Sequence, residues 1–306
     1  MTPAEPLAEL LQYLKAAGYD FVAVTPTTHA RVLAKAAAGP PSLRDIFGWN
    51  RWFEAADVSP DLLAVLHAAE VLELRDAKLR ARIRVARLGE DLLLHSAFPT
   101  DEADAVFFGP DTYRFVRFLE QQLPQTNKAN WLVDMGAGSG AGAMAVRGVR
   151  PAGRTMMVDV NARALNLAAI NAHAAGLDAE MLLSDTVPKG ADLIIANPPY
   201  MMDAAARSYR DGGDLLGGAI ALDWVVQALA ALAPGGTVLL YTGAAFISGE
   251  APLMTALKRV CAAAGSTLLL DEIDPDIFGE ELEQPLYAKV ERIAAVGATI
   301  TKATGA

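Results

Sequence analysis

The string with the most specific chemistry in the chain is Asn197-Pro198-Pro199-Tyr200. Proline lacks an N–H and has a fixed φ, so the run loses two donors and keeps its carbonyls as acceptors. The Asn197 side-chain carbonyl and the Pro198 backbone carbonyl can together hold a planar NH2 group by its two hydrogens. Tyr200 can lie against the plane of that group; such stacking on a base contributes ~1–3 kcal/mol. On its own the string is also a common turn. Three further markers precede it. Asp134-Met-Gly136-Ala-Gly138-Ser-Gly140 follows an apolar run; its glycines allow a tight turn and close approach of backbone to a ligand, with a helix N-terminus facing the ligand's anionic end. Gly136, Gly138 and Ala141 also match the spacing G-x-G-x-x-A of nucleotide-type sites. Asp159, followed by Val160, comes nineteen residues past Gly140. A carboxylate there can accept both hydroxyls of a ribose, or cap the helix that begins near Ala162. Asp185 ends the next run and can receive the amino group of an adenine ring, or stand as a loop carboxylate.

Those residues need a frame that brings them to one edge. From about Asn130 the pattern alternates strand and helix. Trp131–Met135, Thr155–Asp159, Glu180–Ser184, Ala191–Ala196 and Thr237–Thr242 read as strands, with helices over Ala162–Ala175, Leu216–Leu232 and Ala251–Ala264. This order predicts a mostly parallel sheet covered on both faces, with ligands at the carboxyl ends of its strands. Thr267–Ile273 and Lys289–Ala298 follow with no helix between them, which predicts an antiparallel edge pair. The first third is different. Helices are expected over Pro3–Ala17, Thr28–Ala38 and from Ser59-Pro60 to about Ala69. Short strands Val71–Leu74, Leu79–Arg87 and Asp91–Ser96 come next. A helix and a small hairpin suggest a winged-helix-like unit, joined to the rest near Ala97–Asp111.

The 306 residues are 53% hydrophobic and 20% charged, which suits a folded globular chain with a sizeable core. The most apolar stretch, Gly217 to Gly236, carries Asp223 and Gln227, so no membrane span is expected. The N-terminal run lacks a basic end and carries Glu5 and Glu9, unlike a signal peptide. A single cysteine, Cys261, excludes a disulfide framework and a Cys-rich zinc site. The four histidines have neither metal nor triad spacing, so no metal is expected, and the setting is read as cytoplasmic. Net charge is −10, which weighs against a broad phosphate-binding surface. Charge is uneven, however. Residues 271–283 hold seven acids and no base. Within Leu79–Val85, Arg80, Arg82 and Arg84 alternate with apolar residues. On one strand they would share a face, either merely solvated or guiding RNA or an acidic partner. Arg207 and Arg210, just past Tyr200, could meet an anionic part of a substrate or be solvated loop charges.

Taken in order, Asp134–Gly140, Asp159, Asp185 and Asn197–Tyr200 resemble the motifs of class I S-adenosylmethionine-dependent methyltransferases of the amino-group branch. That branch includes the HemK-like release-factor glutamine methyltransferases and the N6-adenine and small-domain RNA guanine methyltransferases. The resemblance spans roughly residues 105–298. It implies an α/β fold with a Rossmann-like seven-stranded sheet over residues 105–306. Residues 1–104 would form a smaller N-terminal α+β substrate-recognition domain. It implies S-adenosylmethionine as cofactor, with Asp134, Gly136, Gly138, Gly140, Asp159, Val160, Asp185 and Asn197 around it. Asn197, Pro198, Pro199 and Tyr200 would hold the target nitrogen. The expected substrate is a protein glutamine side chain. The alternative is an exocyclic amine of adenine or guanine in RNA or DNA, docked through Arg80, Arg82 and Arg84.

Overall fold

A computed structural model describes residues 4–35, 39–125, 129–203, 207 and 209–304; the expected helix end at Ala38 lies outside them. Contacts divide the chain into two compact units. One comprises residues 1–113, 138–141 and 163–178, the other residues 114–137, 142–162 and 179–306.

In the first unit, local capping sets the helices. Helix α1 (Ala4–Ala16) buries the expected stripe Leu7, Leu10, Leu11 and Leu14. Helix α2 (Pro26–Leu33) begins ahead of Thr28, because the Thr25 hydroxyl accepts the Thr28 N–H at 3.2 Å and Pro26 fills the first position. A short helix α3 (Leu43–Phe47), unassigned from periodicity, is held by a reciprocal cap between Ser42 and Asp45. Helix α4 (Pro60–Ala68) is capped by Ser59 as expected. Two separate antiparallel pairs follow: β1 (Leu72–Arg75) with β2 (Lys78–Ala81), and β3 (Ile83–Leu88) with β4 (Asp91–Ser96).

The expected single strand Leu79–Arg87 is therefore corrected to two strands broken at Arg82, whose N–H donates to the Val71 carbonyl at 2.7 Å. The break destroys the shared arginine face. Arg80 pairs with Glu73 at 2.7 Å and lies over Trp52. Arg82 is exposed, whereas Arg84 is only 5% exposed. Its guanidinium donates to the Ser96 carbonyl at 3.2 Å and to His29 Nδ1 at 3.3 Å. An arginine can only donate, so His29 Nδ1 accepts and its Nε2–H donates to the Trp49 carbonyl at 3.0 Å. Burial is the main force lowering the His29 pKa to about 4, aided by the Arg84 charge.

The remaining elements are α5 (Pro110–Gln122), β5 (Trp131–Met135), α6 (Ala141–Val149), β6 (Arg154–Asp159), α7 (Ala162–Ala174), β7 (Glu180–Leu183), β8 (Leu193–Ala196), α8 (Ala219–Ala231), β9 (Thr237–Phe246), α9 (Pro252–Ala263), β10 (Thr267–Asp274) and β11 (Arg292–Thr301). Seven strands form one sheet in the order β10-β11-β9-β8-β5-β6-β7. All neighbours are parallel except β11, which runs against both β9 and β10. The reversed strand is the expected consequence of a connection without a crossover helix. Side chains alternate across the sheet. Val133, Met135, Ile194, Ala196, Val238 and Leu240 point to one face and pack with residues of α8 and α9, including Val225 and Leu257. On the other face the Phe115 ring of α5 meets Tyr241 at 6.0 Å. Both faces are thus covered, which suits strands that read as apolar runs. No helix among the described residues is long and apolar enough to cross a membrane.

The chain passes from β5 to β6 and β7 on one side, then crosses to β8 and β9 on the other. Strand order thus reverses between β5 and β8, and a crevice opens at the carboxyl ends of such a pair.

Candidate active site

The glycine loop leaves β5 at this crevice. Gly136 and Ala137 donate their N–H groups to the Val158 carbonyl of β6, at 2.8 and 3.0 Å. Gly136, Gly138 and Gly140 have φ of +70°, +55° and +83°, the left-handed conformation that glycine adopts without steric cost. At Gly136 the constraint is double. An added Cβ would stand 2.5 Å from the tip of the Trp224 ring in α8. Asp134 lies beneath the loop, 2% exposed, with its carboxylate accepting the Ala143 N–H of the first turn of α6 at 2.8 Å. Burial raises its pKa to about 7; the Ala143 N–H pulls the other way and the Asp159 charge adds to the rise.

Asp159 stands at the end of β6, half-buried, with one carboxylate oxygen accepting the Asn161 N–H at 2.9 Å. Val160 beside it is 55% exposed, an apolar side chain facing solvent at the strand end. Asp185 is exposed two residues past β7, and its Oδ1 accepts the Thr186 hydroxyl at 3.1 Å. The loop that carries Asp185 is tied to α8, where Gln227 accepts the Val187 N–H at 3.0 Å.

Asn197 follows β8 directly. Its Oδ1 is buried and has no hydrogen-bond partner among the described residues. Leaving a buried acceptor unmade costs ~1–3 kcal/mol, so such an atom calls for a donor from outside the chain. Tyr200 is 8% exposed, and its ring lies on Gly243 of β9, where a Cβ would stand 2.2 Å from Cδ2. Arg207 and Arg210 are partly exposed, and both are paired with carboxylates of the chain. Arg207 donates to Asp203 at 2.9 and 2.6 Å, which holds that carboxyl down at about 2. Arg210 pairs with Asp203 at 3.6 Å and with Glu281.

The sheet therefore gathers Gly136, Asp159, Val160, Asp185 and Asn197 at the carboxyl ends of four adjacent strands. Trp224, Gln227 and Gly243 join them without any motif of their own. Within the first unit, Asn171 of α7 is fully buried, a role periodicity does not reveal. It donates to the Ser139 carbonyl at 2.9 Å and the Leu94 carbonyl at 3.1 Å, anchoring the second half of the glycine loop within the first unit.

Comparisons with known proteins bear on the family and the fold. Residues 105–267 match the family described as methyltransferase small domain. A release factor glutamine methyltransferase from Deinococcus radiodurans is 29% identical over 195 residues, covering 60% of this chain and 66% of that protein. Another, from Cereibacter sphaeroides, is 38% identical over 132 residues, covering 37% of this chain and 47% of that protein. The chain thus spans between about half and two thirds of the length of these relatives. Among solved structures, Trm5b from Pyrococcus abyssi superposes with a TM-score of 0.51 at 14% identity, covering 76% of this chain and 62% of that one. That likeness concerns the fold alone.

Proposed function

This chain belongs to the methyltransferase small domain family, and from that premise we propose that it transfers a methyl group from S-adenosylmethionine to the side-chain amide nitrogen of a protein glutamine. The observation that carries the proposal is the buried Oδ1 of Asn197 at the crevice, which has no hydrogen-bond partner among the described residues. The names of the relatives from Deinococcus radiodurans and Cereibacter sphaeroides support glutamine as the acceptor. A translation factor or another protein bearing that glutamine would be met in the cytoplasm.

The residues present suit S-adenosylmethionine. Asp159 would take the ribose hydroxyls, Val160 would lie along the adenine, and Asp185 would receive its amino group. The glycine loop, with Gly136, Gly138 and Gly140, would admit the methionine end. Asp134 acts from beneath, by holding the loop and the start of α6. The cofactor supplies a methyl group already activated on a sulfonium. What the chain must add is placement and electrostatics. An amide nitrogen is a poor nucleophile, because its lone pair is delocalised into the carbonyl. Asn197 Oδ1 and the Pro198 carbonyl, accepting both N–H groups, favour positive charge on that nitrogen and help to localise the pair. Pro199 keeps the second carbonyl in place by fixing the backbone.

The base-amine reading drew on the arginine face, which the fold takes apart: Arg84 is buried and Arg80 is paired. The division into a recognition domain and a transfer domain is part of the same proposal. It is supported by the two compact units, although α7 counts with the first.

Asn197→Ala tests the assignment. Methyl transfer should fall at least 100-fold, equivalent to about 3 kcal/mol of barrier, while calorimetry finds the affinity for S-adenosylmethionine within twofold of wild type. An unchanged turnover number would remove Asn197 from the reaction.

A further inference from the structure

The second half of the acidic stretch, residues 275–283, lies beyond β10. It belongs to the connection between β10 and β11, residues 275–291, which forms two short 3-10 turns, Gly279–Glu283 and Pro285–Tyr287. Three side chains of this connection converge on the loop that follows Tyr200. The Tyr287 hydroxyl, on a residue 2% exposed, accepts the Met202 N–H at 2.7 Å. Glu281, 8% exposed, forms an ion pair with Arg210. Phe278 sets its ring edge-on to Tyr200, with centroids 6.0 Å apart and planes at 67°. Its backbone sits at φ +54°, a conformation that non-glycine residues hold only against a cost of ~1–2 kcal/mol.

The loop on the other side of these contacts is closed on itself. Met201 N–H donates to the Arg210 carbonyl at 3.0 Å, and Gly212 N–H to the Met201 carbonyl at 2.8 Å. Asp203 gathers Arg207 and Arg210. Tyr200 is thus enclosed: its ring rests on Gly243 of β9 and meets the edge of Phe278. A half-buried ion pair is a weak source of stability, since desolvation offsets much of its attraction. It is a strong source of direction, as is a buried hydroxyl bonded to one backbone N–H. Pro198 and Pro199 have fixed φ, so displacement of Tyr200 is passed along the backbone to Asn197.

We propose that the β10–β11 connection is a positioning clamp for methyl transfer, with Phe278, Glu281 and Tyr287 holding the Asn197–Tyr200 run at the angle that presents the Asn197 carbonyl to the target nitrogen. The role in transfer rests on the methyltransferase reading above. Both variants keep the side-chain shape: Tyr287→Phe removes the acceptor of the Met202 N–H, and Glu281→Gln removes the charge that pairs with Arg210. Each variant should lower the initial rate of methyl transfer from labelled S-adenosylmethionine into extract protein by about tenfold or more. The calorimetric Kd for S-adenosylhomocysteine should stay within twofold. Hydrogen exchange should quicken at the amides of Met201, Met202 and Gly212 and stay unchanged at those of Gly136–Gly140. Glu281→Asp, which keeps the charge, should restore most of the rate lost in Glu281→Gln. Variants as fast as an active wild type, or with unaltered exchange at Met201, Met202 and Gly212, would overturn the clamp. A wild-type protein that transfers no methyl group would overturn the functional reading instead, and the role in transfer with it.

Discussion

A methyl group added at Gly136 would meet two obstacles, and at Gly138 only one. Both residues have positive φ, which costs an alanine ~1–2 kcal/mol. At Gly138 nothing lies within 4 Å of the added carbon, whereas at Gly136 it would strike Trp224 at 2.5 Å. Gly138→Ala should therefore lose ~1–2 kcal/mol in denaturant melts, and Gly136→Ala clearly more. Truncating Trp224 in the Gly136→Ala background should return the difference; equal losses at both positions would refute the contact. Asp134 has its own signature. Its folded pKa of about 7 lies above the ordinary 3.8, so the folded state binds the proton more tightly than the unfolded one. Stability is then fully favoured below about pH 4 and lost as pH rises towards 7. Relative to Asp134→Asn, the wild type should lose melting temperature over that range, and a flat difference would contradict the buried carboxyl. The glycines and the carboxylates were legible in the sequence, because each belongs to a short ordered motif. Trp224 and Gly243 were not, since their part comes from close approach to Gly136 and Tyr200, far from them along the chain.

At the level of elements, capping and periodicity went far. Ser59 starts α4 and the apolar stripe buries α1, as read from residue types alone. The strand carrying Arg80, Arg82 and Arg84 failed for a physical reason. Alternation shows that residues could share a face, and a backbone bond from Arg82 to Val71 interrupts the strand that would make them do so. The consequence is measurable. His29 of α2 sits against the buried Arg84 of β3 and is kept neutral, with its folded pKa at about 4 against 6.5 ordinarily. Between these values the unfolded chain takes a proton that the folded one refuses. The contribution is therefore intact above about pH 6.5 and lost as pH falls through 4. Its sign is opposite to that of Asp134. The wild type should lose stability relative to His29→Gln between pH 6.5 and 4, read from tryptophan fluorescence during denaturant melts. No divergence between the two would show His29 free to protonate in the fold.

Over the whole molecule, the alternation of strands and helices was enough to foresee the parallel sheet, its antiparallel end and the edge on which the motifs meet. The order β10-β11-β9-β8-β5-β6-β7 was not readable from periodicity, because neighbours are chosen by packing between distant runs. That order matters for function: it sets the loop after β5 beside the loop after β8, and so brings Gly136 to the crevice that Asn197 borders. The grouping of α7 with the N-terminal residues was equally hidden, since it depends on Asn171 reaching β4 and the glycine loop. Protein-amide methylation can be tested while the acceptor protein is still unidentified. Purified protein is incubated with radiolabelled S-adenosylmethionine and an extract of cells lacking it, and the labelled products are divided between protease and nuclease. The expected result is label released by protease and found by mass spectrometry on a glutamine side chain, absent with Asn197→Ala. Label released by nuclease would contradict the glutamine assignment and turn the target into a base amine.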